Sequence, residues 1–251
     1  MNKDFEKIKT YLMEWVGYCE KNSKDFLGNM NKPQLFHKEN AGINNFTIFA
    51  EEYKKFTGIN LQKNPWCDMW IDSCFVHVFG KEKAERYLKG FSAYTPTSAN
   101  NFKKHNLFSK NPKLGAQVFF HNETRINHTG FVYNFDKNFI YTLEGNTSDG
   151  KAVIANGGEV CKKKYRRDNG RIAGYGIIMY DGWHFENGKY FYMDGNRKYK
   201  GYTSIGGLNF FFDENGNMVT GDVFINGKRH FFIETGEKYL GAELCVGGIE
   251  Q

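Results

Sequence analysis

Cysteine is scarce and scattered in this sequence: five in 251 residues, with no CxxC pair and no even spacing. That excludes a disulfide framework and a thiolate zinc site, and it predicts reduced thiols in the compartment of synthesis. Long apolar runs are missing as well. No stretch approaches the roughly 20 residues of a membrane-spanning helix, so no membrane insertion is expected. The N-terminus, "MNKDFEKIKTYLMEW", reads as a charged amphipathic helix without an apolar h-region. No signal peptide is expected there, and a protein of this kind that acts outside the cytoplasm needs another route of release. The basic run "KKKYRR" at 162–167 has no nucleic-acid-binding motif beside it. It reads as solvated surface next to a turn, and no nucleic-acid partner is expected.

What is present divides the chain unevenly. The net charge of +6 splits into about +8 before residue 182 and −2 from there on, so the basic first part favours anionic partners such as an acidic cell-surface polymer. Aromatics are abundant, with 24 Phe and 15 Tyr, many of them after residue 180. Residues 1 to about 90 show the i, i+3, i+4 apolar spacing of helices at 3–21, 45–57, 65–79 and 81–89. From 115 to 180 the period changes. "AQVFF", "HTGFVYN", "NFIYTLEG" and "GYGIIMY" are short β-rich runs between turn residues, which predicts a small antiparallel sheet and hence an α+β domain. The tail repeats: "GLNFFFDENGNMVTG" (207–221) and "GKRHFFIETGEKYLG" (227–241) align at a spacing of 20, and "GKYFYMDGNRKYKG" (188–201) is an earlier copy one residue shorter. A strand–turn–strand unit of that size cannot bury its own core, so an all-β hairpin-repeat solenoid is expected. The resulting division is 1–180 and 181–251.

One stretch raises a question of chemistry. "NPWCDMWIDSC" (64–74) sets Asn64 as N-cap and Pro65 as first helical residue of an amphipathic helix. Cys67 then falls in the first turn, where free N–H groups and the macrodipole favour a thiolate, whereas Cys74 lies two turns deeper on the apolar face. Taken alone, Cys67 is either a buried packing residue or a nucleophile. A nucleophile needs a base within reach and a group to orient that base. Of the seven histidines, His37, His105, His184 and His230 fall in loops or repeats and His77 lies nearly three turns along the helix. His121 and His128 remain, both on strands. A hairpin of 128–134 and 138–144 centred on Asp136 would set His128 directly opposite Glu144, with Asn146 on the same face by the two-residue period. The same polar residues near "EGNTS" also fit a solvated sheet face.

In this order, "PWCDMWIDSC", "GAQVFF", "HTGFVYN", "LEGNTS" and "NGGEVCKKKY...IAGYG" resemble the CHAP family of cysteine amidohydrolases and peptidases. These are relatives of the NlpC/P60 enzymes found in phage endolysins and bacterial autolysins. The resemblance covers roughly residues 5–180 and implies a papain-like α+β fold, with Cys67 as nucleophile, His128 as base, and Glu144 and Asn146 positioning and polarising the imidazole. It implies a peptidoglycan hydrolase, either an N-acetylmuramoyl-L-alanine amidase or a stem or cross-bridge endopeptidase, synthesised in the cytoplasm and reaching the wall after holin-mediated or lytic release. No cofactor is required. Some relatives carry a calcium loop near the N-terminus, but Asp25 and Glu39 do not form an alternating carboxylate loop. The tail resembles cell-wall-binding repeats whose choline-binding members carry a Gly-Trp start and a Trp-Tyr-Tyr triplet. "GWHFENGKYFY" matches in part, while later copies read "GY" and "GD" and lack the tryptophans. Trp183, Tyr190, Tyr192, Tyr202, Phe210 and Phe212 are the expected wall-binding rings, with choline a candidate ligand through cation–π contacts. A non-catalytic wall-binding or adhesion protein, and a thiol amidase acting on other substrates, stay open as alternatives.

Overall fold

The computed structural model describes residues 2–33, 38–148, 158–195 and 197–236. These fall into two units, 5–178 and a second made of 2–4 with 179–236.

In the first unit, five helices precede or flank one antiparallel sheet. Helix α1 (Lys3–Glu14) buries Phe5, Ile8 and Leu12 along one stripe. The periodicity predicts a helix to residue 21, but the chain turns at Gly17, which takes φ +90°. Tyr18 and Cys19 then run extended against the sheet edge, with Gly17 N–H donating to Val160 O at 2.9 Å. Helix α2 (Ile48–Thr57) starts at Thr47, whose hydroxyl accepts from Ala50 N–H, and ends at left-handed Gly58. Helices α3 (Cys67–Phe79) and α4 (Lys81–Leu88) follow. Helix α5 (Thr95–Lys104) has no counterpart in the sequence reading. Its inward positions are Thr95, Ser98, Ala99 and Phe102, a correct helical spacing that half-polar side chains hide from a hydrophobicity pattern.

The sheet comprises β1 (Phe108–Ser109), β2 (Gln117–His121), β3 (Ile126–Phe135), β4 (Phe139–Thr147), β5 (Glu159–Arg166) and β6 (Ile172–Gly176), in the order β1-β6-β2-β3-β4-β5. Its core includes Val118, Phe120, Val132, Ile140 and Tyr175. The basic run 162–167 lies largely on β5, whose exposure alternates. Lysines there sit on an edge strand, where they discourage pairing with other chains.

The second unit is a row of hairpins. Strands β7 (Gly182–Glu186), β8 (Lys189–Asp194) and β9 (Arg197–Lys198) form the first group; β10 (Gly201–Ile205) pairs with β11 (Leu208–Phe212), and β12 (Gly221–Ile225) with β13 (Lys228–Phe232). In each of these hairpins the opening glycine faces a residue at or next to the end of the returning strand: Gly182↔Met193, Gly201↔Phe212, Gly221↔Phe232. Each closes through two residues of positive φ: Asn187-Gly188, Gly206-Gly207 and Asn226-Gly227. That is the two-residue turn whose twist matches paired strands, and it needs these residue types. The repeat read from the sequence is thus a repeat of turn chemistry. Its last copy runs to residue 241 and ends outside the described residues, as does Cys245.

Candidate active site

Helix α3 begins at Cys67 itself, two residues later than the Asn64-Pro65 reading predicts. Trp66 is the N-cap residue and offers no side-chain cap. The reason is packing: Trp66 is fully buried, stacks on Phe49 at 5.5 Å and donates its indole N–H to Glu20 Oε2 at 3.0 Å. The chain is pinned there before it can wind. Cys67 therefore occupies the first helical position, among backbone N–H groups that have no intrahelical partner and that no side chain caps. Such a place suits a thiolate and, beside it, a carbonyl oxygen gaining charge. Strand β4 approaches the helix closely because Gly145 has no side chain. A Cβ at this position would lie 2.9 Å from Trp66 Cζ3 and 3.0 Å from Trp70 Cβ.

The structure brings His128 to Cys67. The Cys67 thiol is near enough to raise the His128 imidazole, and His128 Nε2 lies 2.9 Å from Glu144 Oε2, which leaves Nδ1 as the nitrogen available to the thiol. The route to this geometry differs from the expected one. Phe131 faces Leu143 and Val132 faces Thr142, with a bulge between Val132 and Asn134. This is two residues out of the register that would set His128 opposite Glu144. Continued by one residue, the observed register sets Gly130 against Glu144. A two-residue shift keeps side chains on the same face, so the histidine and the carboxylate meet diagonally. Gly130 opens the way: a Cβ there would lie 2.5 Å from Glu144 Cγ. Glu144 is held by Thr142 Oγ1, which donates to Oε1 at 2.5 Å, and by Tyr165 OH, which donates to Oε2 at 3.1 Å. Phe120 stacks on His128 and also meets Tyr165.

The electrostatics follow from this packing. Burial opposes a charged imidazole, but hydrogen bonds to Cys67 and Glu144, together with their charges, override it and push His128 up to about 10. Cys74 is completely buried, and burial drives its thiol well above the ordinary value. Asn146, expected to polarise the imidazole, instead takes φ +53° within the β4–β5 irregularity, and its buried Oδ1 has no hydrogen-bond partner. The other histidines lie elsewhere. His121 pairs with Asn122 O and lines an open cavity of about 490 Å³ with Arg171. His77 stacks on Tyr11, and His184 on Phe191; His37 is outside the described residues. Among the described residues no three His, Cys, Asp or Glu side chains group as metal ligands. Thr142, Tyr165 and Gly130 had no signal in a single sequence, since their roles exist only through cross-strand register.

In the tail, Trp183 meets Tyr192 at 5.2 Å, Phe210 at 4.8 Å and Phe212 at 5.8 Å. Phe210 and Phe212 are buried, because strand alternation turns them inward and Phe211 outward. They form the floor of an aromatic cluster and are not open ligand-binding rings, which corrects the expectation for those two. Tyr190 and Tyr202 are exposed, Tyr190 against Phe185 at 4.6 Å and Tyr202 against His230 at 6.0 Å.

No family model matches the chain, and no curated protein matches it. Among solved structures, the choline binding domain of Spr1274 from Streptococcus pneumoniae is 21% identical with a TM-score of 0.24, over 26% of this chain and 100% of that domain. The modular Cpl-1 endolysin complexed with a peptidoglycan analogue is 20% identical with a TM-score of 0.24, over 26% of this chain and 20% of the endolysin. Choline binding protein F from Streptococcus pneumoniae, in complex with ipratropium, is 18% identical with a TM-score of 0.25, over 51% of this chain and 53% of that protein. Scores at this level leave family and activity unassigned.

Proposed function

We propose that this protein is a cysteine-dependent hydrolase of amide bonds in the bacterial cell wall, with the hairpin tail holding it to that wall. The reading is carried by one observation: His128 lies within electrostatic reach of Cys67, at a helix start, and is hydrogen-bonded to the buried carboxylate of Glu144. That is a nucleophile, a base and an orienting group in series. In the proposed reaction the Cys67 sulfur attacks the amide carbonyl, and backbone N–H groups at the start of α3 stabilise the oxyanion. His128 passes its proton to the leaving amine, then takes one from the water that clears the thioester. Glu144 keeps the imidazole oriented through both steps and stabilises it whenever it carries the proton. The wall as substrate is supported by the sequence resemblance of both parts, and the bond cut is an amidase or endopeptidase bond.

The test is mass spectrometry of fragments released from purified Gram-positive walls by the full chain. New amine and carboxyl termini are expected, and none with Cys67→Ala. A second reading, a wall-binding or adhesion protein without catalysis, is favoured by the hairpin tail with its exposed Tyr190 and Tyr202. Retention on walls with no release of fragments would select it.

A further inference from the structure

Between Cys67 and His128 lies a buried network that the reaction scheme leaves unused. Gln117 on β2 is 1% exposed, and its Nε2 donates to Asp68 Oδ1 at 2.8 Å and to Thr129 Oγ1 at 3.1 Å. Asp68 follows the nucleophile in the chain, and Thr129 follows the base. One amide group with two hydrogens therefore ties the start of the nucleophile helix to the strand that carries the histidine. Each end is fixed in turn. The Thr129 hydroxyl spends its single hydrogen on Val118 O at 2.8 Å, so it can only accept from Gln117. On the far side, Ser98 Oγ lies 2.6 Å from Asp68 Oδ2 and 3.1 Å from Ser92 O. Ser98 donates to Asp68 through the shorter of the two contacts, which holds the carboxyl from the side opposite Gln117.

We infer that Gln117 and Asp68 are positioning residues that set the Cys67–His128 distance. The inference rests on reading Cys67 and His128 as nucleophile and base. Burial pushes the Asp68 carboxyl up to about 7, against the lowering effects of Ser98, Gln117 and His128. Besides His128, the ionisable groups near it are Asp72, one helical turn on, and Tyr53 of α2. Asp72 is also buried, and its carboxyl is raised by burial and by Asp68. Two such carboxyls four residues apart do not both ionise readily. A network of this kind is stable only when fully satisfied, so removing one donor loosens both ends.

The experiment follows alkylation of Cys67 by iodoacetamide against pH in the full chain, read at the Cys67 peptide by mass spectrometry, beside steady-state hydrolysis of soluble muropeptides. His128→Ala gives the profile of an uncoupled thiol. Gln117→Met is expected to move the wild-type profile to that of His128→Ala and to lower kcat about 10- to 100-fold with KM within about 2-fold, the effect of misplaced reacting groups. Asp68→Asn keeps an acceptor toward Gln117 and turns an N–H toward Ser98, whose hydroxyl can accept it, and is expected to stay within about 3-fold of wild type. Thr129→Val removes one arm of the brace with little change in volume and serves if Gln117→Met does not fold. A folded Gln117→Met or Thr129→Val with the wild-type profile and kcat overturns the brace while leaving nucleophile and base standing. Identical profiles for wild type and His128→Ala overturn the nucleophile–base reading, and the brace with it.

Discussion

Two cysteines seven residues apart on one helix have opposite chemical prospects, and the difference is a matter of position. Cys67 sits at the first helical position beside His128, whereas Cys74 has no exposed surface and a thiol that burial keeps protonated. Cys67→Ser is expected to abolish fragment release from walls and Cys74→Ser to leave most of it, with melting curves showing both folded. The base gives a pH prediction. His128 has a folded value of about 10 against 6.5 for the free side chain. A raised value contributes stability that is complete below the unfolded value and is lost as pH rises through the folded one. The stability gap between wild type and His128→Ala, measured by urea unfolding, should be widest below pH 6.5 and close as pH rises to about 10. A gap that widens over that range would show that the imidazole is not held by anionic partners.

At the scale of elements, the site depends on how closely α3 approaches β4 and on how β3 registers with β4. Gly145 permits the first and Gly130 the second. Gly145→Ala places a methyl group against Trp66 and Trp70, and overpacking of this kind costs about 1–3 kcal/mol, read as a lowered urea midpoint. Gly130→Ala pushes on the Glu144 side chain and is expected to slow hydrolysis more than it lowers stability, because Glu144 must reach past that position to His128. Equal melting loss with unchanged kcat would mean that Glu144 finds another path. The existence of α2, α3 and α4 was legible from apolar spacing. The start of α3 was not, since a local capping rule pointed to Asn64 while burial of Trp66 against Phe49 and Glu20 decided the matter.

For the whole molecule, the tail separates buried rings from open ones. Phe212 is 1% exposed and packs beneath Trp183, whereas Tyr190 and Tyr202 are about half exposed. In the full chain, Phe212→Ala should destabilise the hairpin row by about 3–5 kcal/mol. Tyr190→Ala and Tyr202→Ala should leave folding intact and weaken retention on purified walls roughly 2- to 5-fold each, the scale of an exposed cation–π or stacking contact. Hydrolysis of soluble muropeptides should not change in either, since the site lies in the other unit. Millimolar choline is expected not to displace the protein. The position that holds Trp183 in the first hairpin holds Asp222 in the third, paired with Arg229 through two contacts of 2.7 Å, and an ion pair cannot serve as an aromatic wall. Displacement by choline would show that the first hairpins suffice for a cage.

Sequence by itself determined the local and the periodic: helices before strands, and the 20-residue strand–turn–strand repeat. These follow from residue type and spacing, which a chain carries wherever it goes. Tertiary structure alone decided the register that makes Glu144 reach His128 past Gly130, the unpaired Oδ1 of Asn146, the burial of Phe210 and Phe212, and the bond from Gln117 to Asp68. Each of these depends on which residues from distant segments share a few ångströms of space, and a bulge or a buried tryptophan moves that by one or two residues without altering any local preference.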